Sequence, residues 1–468
     1  MSLTPDQTSE YYLEHASARA VALVVVCLGS ALNPLMLSSV SVAIPALAAD
    51  LSATAEQISW LPTAFMLATA VLIVPFGRLS DMYGRKRIYL AGLSAMVVGG
   101  LVAGLAPSME VLLIGRVLQG GASAMIFGTG MAILTAIFPP TRLGFALGAA
   151  ASCVYIGLTA GPWFGGFVTD WLGWRMVFFL QVPVYVAVIG MTLFFLKGEW
   201  RSSEVRRFDA RGAVTYATWM ILLVIGLTEL PSLHGVVALA LGIALLVWFW
   251  RDQSVRAHPL VRVQAVRANH VFSCSLAASL FTYAATFPML FLLSLYLQYI
   301  AGLSPRAAGG VLLVQALTTA IAVPFSGRAA DAFQPRNIAT AGCVLICLGA
   351  LWLQQIGFGT PLTVVVVGQV LMGLGLALFG TPNNSAAMRS LKSANLGMAA
   401  ALVNLARTLG NMLGMGLVMV AIALFIGPEE ITPEHHPGLV NTVHVSLTLS
   451  ALFAAIAAWF SWVRGEVE

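Results

Sequence analysis

Two arginines lie inside long apolar segments of this 468-residue chain, and each has an amide side chain three residues away. The pairs are Arg116 with Gln119 and Asn404 with Arg407. Residues three apart share a helix face, so each pair predicts polar contacts within an apolar helix. An arginine in an apolar helix is costly unless it is paired, hydrated or close to an interface. We expect Arg116 and Gln119 to form a hydrated polar stripe, with placement of the arginine at the interface as the alternative.

The second pair, Asn404 and Arg407, predicts a buried polar contact in a later apolar segment. A structural hydrogen bond to a neighbouring helix explains this pair equally well. None of the 19 carboxylates lies deep in an apolar segment, so neither arginine has an obvious acidic partner.

The residues that usually perform enzymatic chemistry are not grouped in this sequence. The five cysteines all lie in apolar runs, which indicates neither a disulfide framework nor a zinc motif. His435 and His436 are adjacent and could bind a metal, but a solvated loop is the simpler explanation. A nucleotide-binding motif is absent. We therefore expect no enzymatic activity, no cofactor and no metal.

The composition identifies the medium in which these residues work. Hydrophobic residues make up 59% of the chain and charged residues only 9%, and the mean hydropathy is +0.89. Soluble proteins carry about 25% charged residues, so a soluble enzyme, a disordered chain and a nucleic-acid-binding protein are all poor interpretations. We expect an all-α polytopic membrane protein whose first partner is the lipid bilayer.

The number of membrane spans follows from the apolar runs. A spanning helix needs ~20 apolar residues, because the hydrocarbon core is about 30 Å thick. Fourteen runs of this kind occur in the sequence. They lie near residues 20–48, 58–76, 88–106, 111–137, 143–168, 176–196, 212–228, 235–250, 270–299, 307–326, 338–356, 362–386, 396–426 and 440–463.

The distribution of basic residues predicts the orientation of these spans. If the N-terminus is cytoplasmic, 20 of the 24 Lys and Arg residues fall in cytoplasmic segments. A miscounted span would invert every later loop and remove this bias. We therefore expect a multi-pass protein of the cell (inner) membrane with both termini cytoplasmic. The polar, acidic residues 1–18 predict a cytoplasmic tail and not a cleavable signal peptide.

One segment of the chain occurs twice. Val-Pro-Phe, Gly-Arg and Asp recur in order in residues 74–81 and 323–331, after the second and the tenth span. The repeat predicts two six-helix bundles, at residues 19–198 and 269–468, joined by an inserted helix pair with its flanking loops at 199–268. Parallel repeats of this kind are typical of transporters that rock around a central site.

Several motifs resemble those of the major facilitator superfamily, and in detail its 14-span drug:proton antiporter branch. The loop after span two, Gly77 to Arg87, resembles the signature loop of that superfamily, and Arg116-Val-Leu-Gln119-Gly120 resembles its Arg-x-x-Gln-Gly motif. The fifth span resembles the antiporter motif. The residues that carry this last resemblance are Gly157, Gly161, Pro162, Gly165 and Gly166.

The resemblance implies a role for each motif. The loop residues would form a conformational latch on the cytoplasmic side, although a purely topogenic charge cluster is the alternative. These residues are Gly77, Arg78, Asp81, Gly84 and Arg85. The two glycines would allow tight turns, and Asp81 would accept charge-assisted hydrogen bonds from the arginines on either side. Arg116 would take part in proton movement. The glycines of the fifth span would allow a close, bent helix at the interface of the halves, as in exporters.

Span one departs from the pattern of the family. Its end reads Ser41-Val-Ala-Ile-Pro45, and Met36 stands where the branch usually has an Asp. Asn33 lies one turn earlier on the same face, but an amide cannot carry a proton. Proton coupling by the usual carboxylate is therefore not encoded here. Further candidates for a soft cavity wall are residues whose side chains repack around many ligands. They are Met36, Trp60, Phe65, Tyr283 and Phe287.

These features together predict a monomeric secondary transporter that exports amphipathic small molecules or drugs by alternating access, with protons as the coupling ion. The main alternative is an exporter or facilitator of one specific metabolite or lipid-like anion without standard proton coupling. Arginines in the spans without carboxylates would suit such a substrate. A membrane enzyme would need a catalytic cluster, and a signalling receptor would not explain the repeat.

Overall fold

The computed structural model of the chain describes Tyr12 and residues 15–200, 208–230, 232–256, 269–390, 396–427 and 429–465. Most of the predicted N-terminal tail lies outside the described residues. The same holds for most of the loops that flank the inserted helix pair, residues 201–207 and 257–268.

Fourteen long helices and no strands make up the described part of the chain. Thirteen of them are long and apolar enough to cross a membrane. The other, α5, is 33 residues long, and several of its side chains lie outside the description. The predicted all-α architecture is therefore confirmed. The helices are α1 (Ala16–Leu51), α2 (Ala55–Tyr83), α3 (Arg85–Gly104), α4 (Met109–Ile137), α5 (Pro140–Leu172), α6 (Arg175–Phe195), α7 (Ala210–Thr228), α8 (Leu233–Val255), α9 (His270–Ile300), α10 (Pro305–Ala332), α11 (Pro335–Leu353), α12 (Leu362–Arg389), α13 (Leu396–Phe425) and α14 (His436–Val463).

Side-chain caps fix the first residue of several of these helices. Thr54 accepts a hydrogen bond from the Gln57 backbone N–H, and the Gln57 side chain accepts one from Thr54 N–H, which makes a capping box before α2. The Ser304 side chain accepts a hydrogen bond from the backbone of the first turn of α10, and the Asn269 side chain accepts one from the first turn of α9. Caps satisfy the backbone donors that the first turn of a helix leaves unpaired. They therefore set where each helix leaves the membrane interface.

The internal repeat extends well beyond the loop motif that first reveals it. Thr69 on α2 donates to the carbonyl oxygens of Phe65 and Gly120, at 2.8 and 3.0 Å. Thr319 on α10 donates to those of Gln315 and Gly373, at 2.9 and 3.0 Å. Helices α2 and α4 in the first half therefore pack as α10 and α12 do in the second.

A second pair of contacts also repeats. Gly115 on α4 faces the backbone of Ala103 on α3, and Gly368 on α12 faces Leu353 on α11. The local sequences Gly-Arg116-Val-Leu and Gly-Gln369-Val-Leu align at this point. Helices α1–α6 and α9–α14 thus form two similarly packed bundles, whose boundaries in sequence stay a prediction.

Several hydrogen bonds join the two bundles in the described part of the chain. We call the side that carries residues 84, 138–139, 333–334 and 464 the terminal side, and the side that carries residues 52–54, 173–174 and 301–304 the opposite side. Ser294 donates to Ser41 O at 2.9 Å, and Ala55 N donates to Glu429 O at 2.9 Å. All hydrogen bonds described between the bundles lie on the opposite side or at mid-membrane. The others are Gln298 to Val42 O, Thr63 to Met419 and Thr159 to Ala316 O.

The close approach at Gly115 predicts opposite effects for two glycine substitutions. A Cβ on Gly115 would lie 2.9 Å from the backbone nitrogen of Ala103, whereas a Cβ on Gly190 would meet nothing within 4 Å. We expect Gly115→Ala to lower the free energy of unfolding by about 1–3 kcal/mol through overpacking. Gly190→Ala should be neutral or raise it by up to about 1 kcal/mol, because alanine is the better helix former. Denaturant unfolding in detergent measures both, and equal effects would contradict this packing.

Candidate functional site

Arg116 lies inside the first bundle, between α4 and α2. Its Nη1 donates to Gln119 Oε1 at 2.9 Å, and its Nε donates to the Leu61 carbonyl oxygen at 3.1 Å. The guanidinium carbon lies 4.5 Å from the centre of the Phe65 ring, a distance typical of a cation–π contact. Arg116 is therefore hydrogen-bonded to Gln119 as their spacing predicts.

The environment of Arg116 differs from the predicted one. The side chain is 0% exposed, so it lies in the interior of the bundle and not on a face open to solvent. Nη2 of Arg116 and Nε2 of Gln119 have no hydrogen-bond partner among the described residues, and none of the described carboxylates forms an ion pair with Arg116. The Phe65 ring and the Leu61 carbonyl surround this charge in the described structure.

Arg407 on α13 has a different setting from the one predicted. Its guanidinium carbon lies 4.6 Å from the centre of the Tyr283 ring on α9. Arg407 is half-buried, and Asn404 is exposed, so the predicted buried pair of these two residues is wrong. The arginine instead contacts one of the aromatic residues that we proposed for a cavity wall.

The candidate residues of span one, Asn33 and Met36, are both buried. Asn33 donates to Gly29 O at 3.2 Å and accepts a hydrogen bond from the Tyr185 hydroxyl on α6 at 3.4 Å. Met36 is 3% exposed and belongs to the main apolar core. Met36 is enclosed by packed helices in this arrangement, and its place in a cavity wall stays a prediction.

The remaining predicted wall residues differ in burial. Phe65 is buried beneath Arg116, whereas Trp60, Tyr283 and Phe287 are half-buried. None of them lines either of two cavities found among the described residues. Their role in substrate binding stays a prediction.

The loop between α2 and α3 is fastened to α4. Asp81 Oδ1 accepts hydrogen bonds from Nε and Nη2 of Arg85, at 3.1 and 2.9 Å. Nη1 of Arg85 donates to Ala132 O on α4 at 2.7 Å. The guanidinium therefore connects the carboxylate to a neighbouring helix of the same bundle, as a latch residue could.

The two glycines of this loop have unlike environments. Gly84 has a φ of +118°, which favours glycine, so the predicted turn occurs there. Gly77 lies inside α2, and a Cβ on it would meet nothing within 4 Å, so the prediction of a turn at Gly77 is wrong. Arg78 lies one residue further along the same helix and is half-buried.

Glu199 is a residue of this loop region that sequence reasoning missed. Its Oε1 accepts the backbone N–H of Lys86 at 2.8 Å, at the first turn of α3, where a carboxylate is favoured. The carboxylate occupies the space beside Gly84, where a Cβ would lie 2.5 Å from its carbon. A signal was present in the sequence, because Lys197-Gly198-Glu199 recurs as Arg464-Gly465-Glu466.

The glycines of the antiporter-like motif contact two different helices. Gly157, Gly161 and Gly165 face α1, and Ser39 on α1 donates to Gly161 O at 2.9 Å. A Cβ on Gly165 would lie 2.5 Å from Ser39 Cα. This face lies inside the first bundle, so these three glycines allow a close approach to a helix of the same half.

The interface of the halves is formed one residue further along the motif. Gly166 faces the backbone of Pro305 and Arg306 on α10, and Gly309 on α10 faces the carbonyl of Pro162. The two helices therefore approach each other backbone to backbone, because glycine presents no side chain on either one. Pro162 and Gly166 are the motif residues that the structure brings to the interface.

Arg464, which we counted only among the charges that orient the helices, is 1% exposed. Its Nη1 donates to Asn383 Oδ1 on α12 at 2.8 Å. Asn383 in turn donates to Ser275 O and Ser279 Oγ on α9, at 3.1 and 2.8 Å. The last helix is thereby tied to α12 and α9 at the terminal side of the second bundle. Arg464 lies at a helix end, where the sequence does not show whether an arginine is buried or exposed.

Comparison with known proteins places this geometry in a family. The Riboflavin transporter RibZ of Clostridioides difficile (strain 630) is 27% identical over 402 residues, which cover 84% of this chain and 86% of that protein. The Multidrug resistance protein Stp of Mycobacterium tuberculosis (strain CDC 1551 / Oshkosh) is 30% identical over 396 residues, which cover 83% of this chain and 73% of that protein.

Solved structures share the fold at low sequence identity. The structure of a POT family transporter in complex with a thioalcohol-conjugated peptide has a TM-score of 0.72 at 14% identity and covers 95% of this chain and 96% of that one. A family model for the Major Facilitator Superfamily matches residues 26–415. The chain therefore belongs to the Major Facilitator Superfamily and is an integral, multi-pass membrane transporter.

Proposed function

We propose that this transporter is a secondary active exporter of amphipathic small molecules that works by alternating access. The observation that carries the proposal is the set of contacts that join the two bundles on the opposite side. The hydrogen bonds described between them lie at mid-membrane or on the opposite side, as at Ser41–Ser294. Those described on the terminal side, such as Arg85 to Ala132 O, stay within one bundle. The described contacts thus join the bundles on the opposite side and at mid-membrane, where a rocking motion could separate them.

The opposite side has contacts that rocking can break. Ser294 and Gln298 on α9 donate to the Ser41 and Val42 carbonyl oxygens on α1, and Gly166 lies against Pro305. Each consists of one or two hydrogen bonds or a bare backbone approach, without an ion pair. In the proposed cycle these contacts separate as the terminal side closes, while the contacts inside each bundle persist. Both termini would be cytoplasmic, so export would load substrate from the terminal side.

Relatives support the choice of substrate class. The names of the relatives include multidrug resistance, tetracenomycin C resistance and export, and riboflavin transport. The proposed binding residues are Met36, Trp60, Phe65, Tyr283 and Phe287, since methionine and aromatic side chains adapt to varied amphipathic ligands. The protein would act on small molecules as a monomer.

Coupling is assigned to the polar residues of the spans. Arg116 and Gln119 hold buried donors without partners, which a change in packing of α2 against α4 could satisfy or expose. Arg407, Asn404 and Asn33 are the other candidates. With Met36 in place of a carboxylate, protons would be coupled through these residues or through the Asp81–Arg85 contact of the latch.

A second candidate function is export or facilitated passage of one specific metabolite or lipid-like anion. Arg116, fully buried without a described acidic partner, favours it, because a cation in a low-dielectric site attracts an anionic substrate. The two candidates differ in their response to an imposed pH gradient.

Transport in liposomes tests the proposal. We expect a pH gradient that is acidic on the opposite side of the protein to drive an amphipathic fluorescent dye across the membrane against its concentration. The driving force is the free energy of proton flow through the coupled cycle. Dye flux in vesicles with and without the gradient measures it, with empty liposomes as the control for passive permeation. Flux that ignores both pH and voltage would contradict active export and leave a facilitator.

Substitution of Arg116 separates a coupling role from a structural one. Gln369 occupies the equivalent position of the second bundle and is 1% exposed, so glutamine is compatible with this kind of site. We expect Arg116→Gln to fold with an unfolding midpoint close to that of the parent and to lose gradient-driven transport by at least about tenfold. A difference of about 1.4 kcal/mol in coupling would suffice for this loss.

The matched control for Arg116→Gln is Arg251→Gln, which removes an exposed charge from α8. It should leave both stability and transport unchanged. Gradient-driven transport by Arg116→Gln at the parental rate would remove Arg116 from the coupling machinery.

A further inference from the structure

The first inserted helix, α7, fills the seam between the two bundles on one flank of the molecule. It packs against α2 of the first bundle and α13 of the second. Its buried apolar side chains recur at helical spacing and form one face. They are Tyr216, Trp219, Met220, Val224 and Leu227. Helix α8 covers the other face of α7. Gly226 on α7 lies against the backbone of α8, and Gly242 on α8 lies against the backbone of α7.

The contact of α7 with α2 is a buried hydrogen bond. The Tyr216 hydroxyl donates to the Ala70 carbonyl oxygen at 2.8 Å, and Tyr216 is 1% exposed. Pro75 lies inside α2 and has no N–H, so the carbonyl of Val71 lacks its helical donor. Tyr216 thus contacts α2 beside a point where its own hydrogen bonding is weakened. Breaking this bond would leave a polar group unpaired in an apolar environment.

The contact of α7 with α13 is apolar. A Cβ on Gly416 would lie 3.0 Å from the Leu227 side chain, so Leu227 rests directly on the α13 backbone. No hydrogen bond or ion pair between α7 and α13 is found among the described residues. Separating an apolar contact of this kind breaks no hydrogen bond. Lipid acyl chains can replace it at little cost in free energy, because they are as apolar as leucine.

We propose that α7 is a lateral seal that moves with the first bundle, with Tyr216 as the positioning residue and Leu227–Gly416 as the contact that changes during transport. This inference rests on the proposed alternating access. The seam between α2 and α13 then stays covered while α13 shifts along α7. Amphipathic substrates in the bilayer therefore cannot enter or leave through this flank.

Cross-linking at the two contacts tests the proposal, in the full-length chain with its five cysteines replaced. The first pair, Tyr216→Cys with Ala70→Cys and a short bifunctional thiol reagent, replaces the hydrogen bond by a covalent link. The second pair, Leu227→Cys with Gly416→Cys, forms a disulfide across the other contact. We expect dye transport to persist after the first link, at no less than about half the rate before linking, and to fall at least tenfold after the second, with recovery on reduction.

The outcomes distinguish this inference from the proposed function. Arrest by the first link, or full activity with the second, would overturn the assignment of α7 to the first bundle. Absence of gradient-driven transport in the unlinked parent would instead contradict the proposed function.

A second measurement does not depend on cysteine substitution. We expect Tyr216→Phe to raise amide hydrogen exchange about 2- to 10-fold in the α2 peptide around residues 70–78, as one buried hydrogen bond is lost. Thr218→Val is the matched control, because the Thr218 hydroxyl is exposed and bonds only within its own helix, to Val214 O at 2.8 Å. Equal exchange in the two variants would exclude Tyr216 as a positioning residue.

Discussion

Helices in a bilayer gain little from burying apolar surface against each other, so this fold depends on close backbone approach at small residues. Gly115 against Ala103, Gly165 against Ser39 and Gly309 against Pro162 are places where one helix backbone touches another. The first two hold a bundle together, whereas the last joins the bundles. Close backbone approach at a small residue therefore occurs both in the contacts within a bundle, which persist, and in the contact between the bundles, which separates in the proposed cycle.

The two bundles share this packing but differ in where they hold charge. Arg116 in the first bundle is matched by Gln369 in the second. The second bundle instead buries Arg464, which Asn383 holds at the terminal side. In the first bundle the comparable interior contains Tyr89, whose hydroxyl donates to Val25 O at 3.0 Å. A fully buried arginine thus lies towards the opposite side in one bundle and towards the terminal side in the other, so the halves are not electrostatically equivalent.

The number of helices and the repeat could be predicted from the sequence, because the length of each apolar span and the charge of each loop can be read directly along the chain. The sequence was also sufficient for the Arg116–Gln119 contact, because that contact lies within one helix. Partners on other helices could not be predicted. The spacing of the α5 glycines predicted a close helix approach but not which helix each glycine contacts, and Arg464 looked like any other basic loop residue. Glu199 was missed because its partner, the Lys86 backbone N–H, carries no side-chain signature.

The Glu199 contact also bears on how the chain is assembled during synthesis. Gly84 and the first turn of α3 are completed by a carboxylate that follows α6 and is made more than a hundred residues later. The junction of α2 and α3 therefore cannot reach its final form until the sixth helix has left the ribosome and entered the bilayer. In the second bundle, Asn383 donates to Ser279 and accepts a hydrogen bond from Arg464, which is synthesised after the last helix. Each bundle is thus closed by its last-made segment, which delays completion of either half until all six of its helices are inserted.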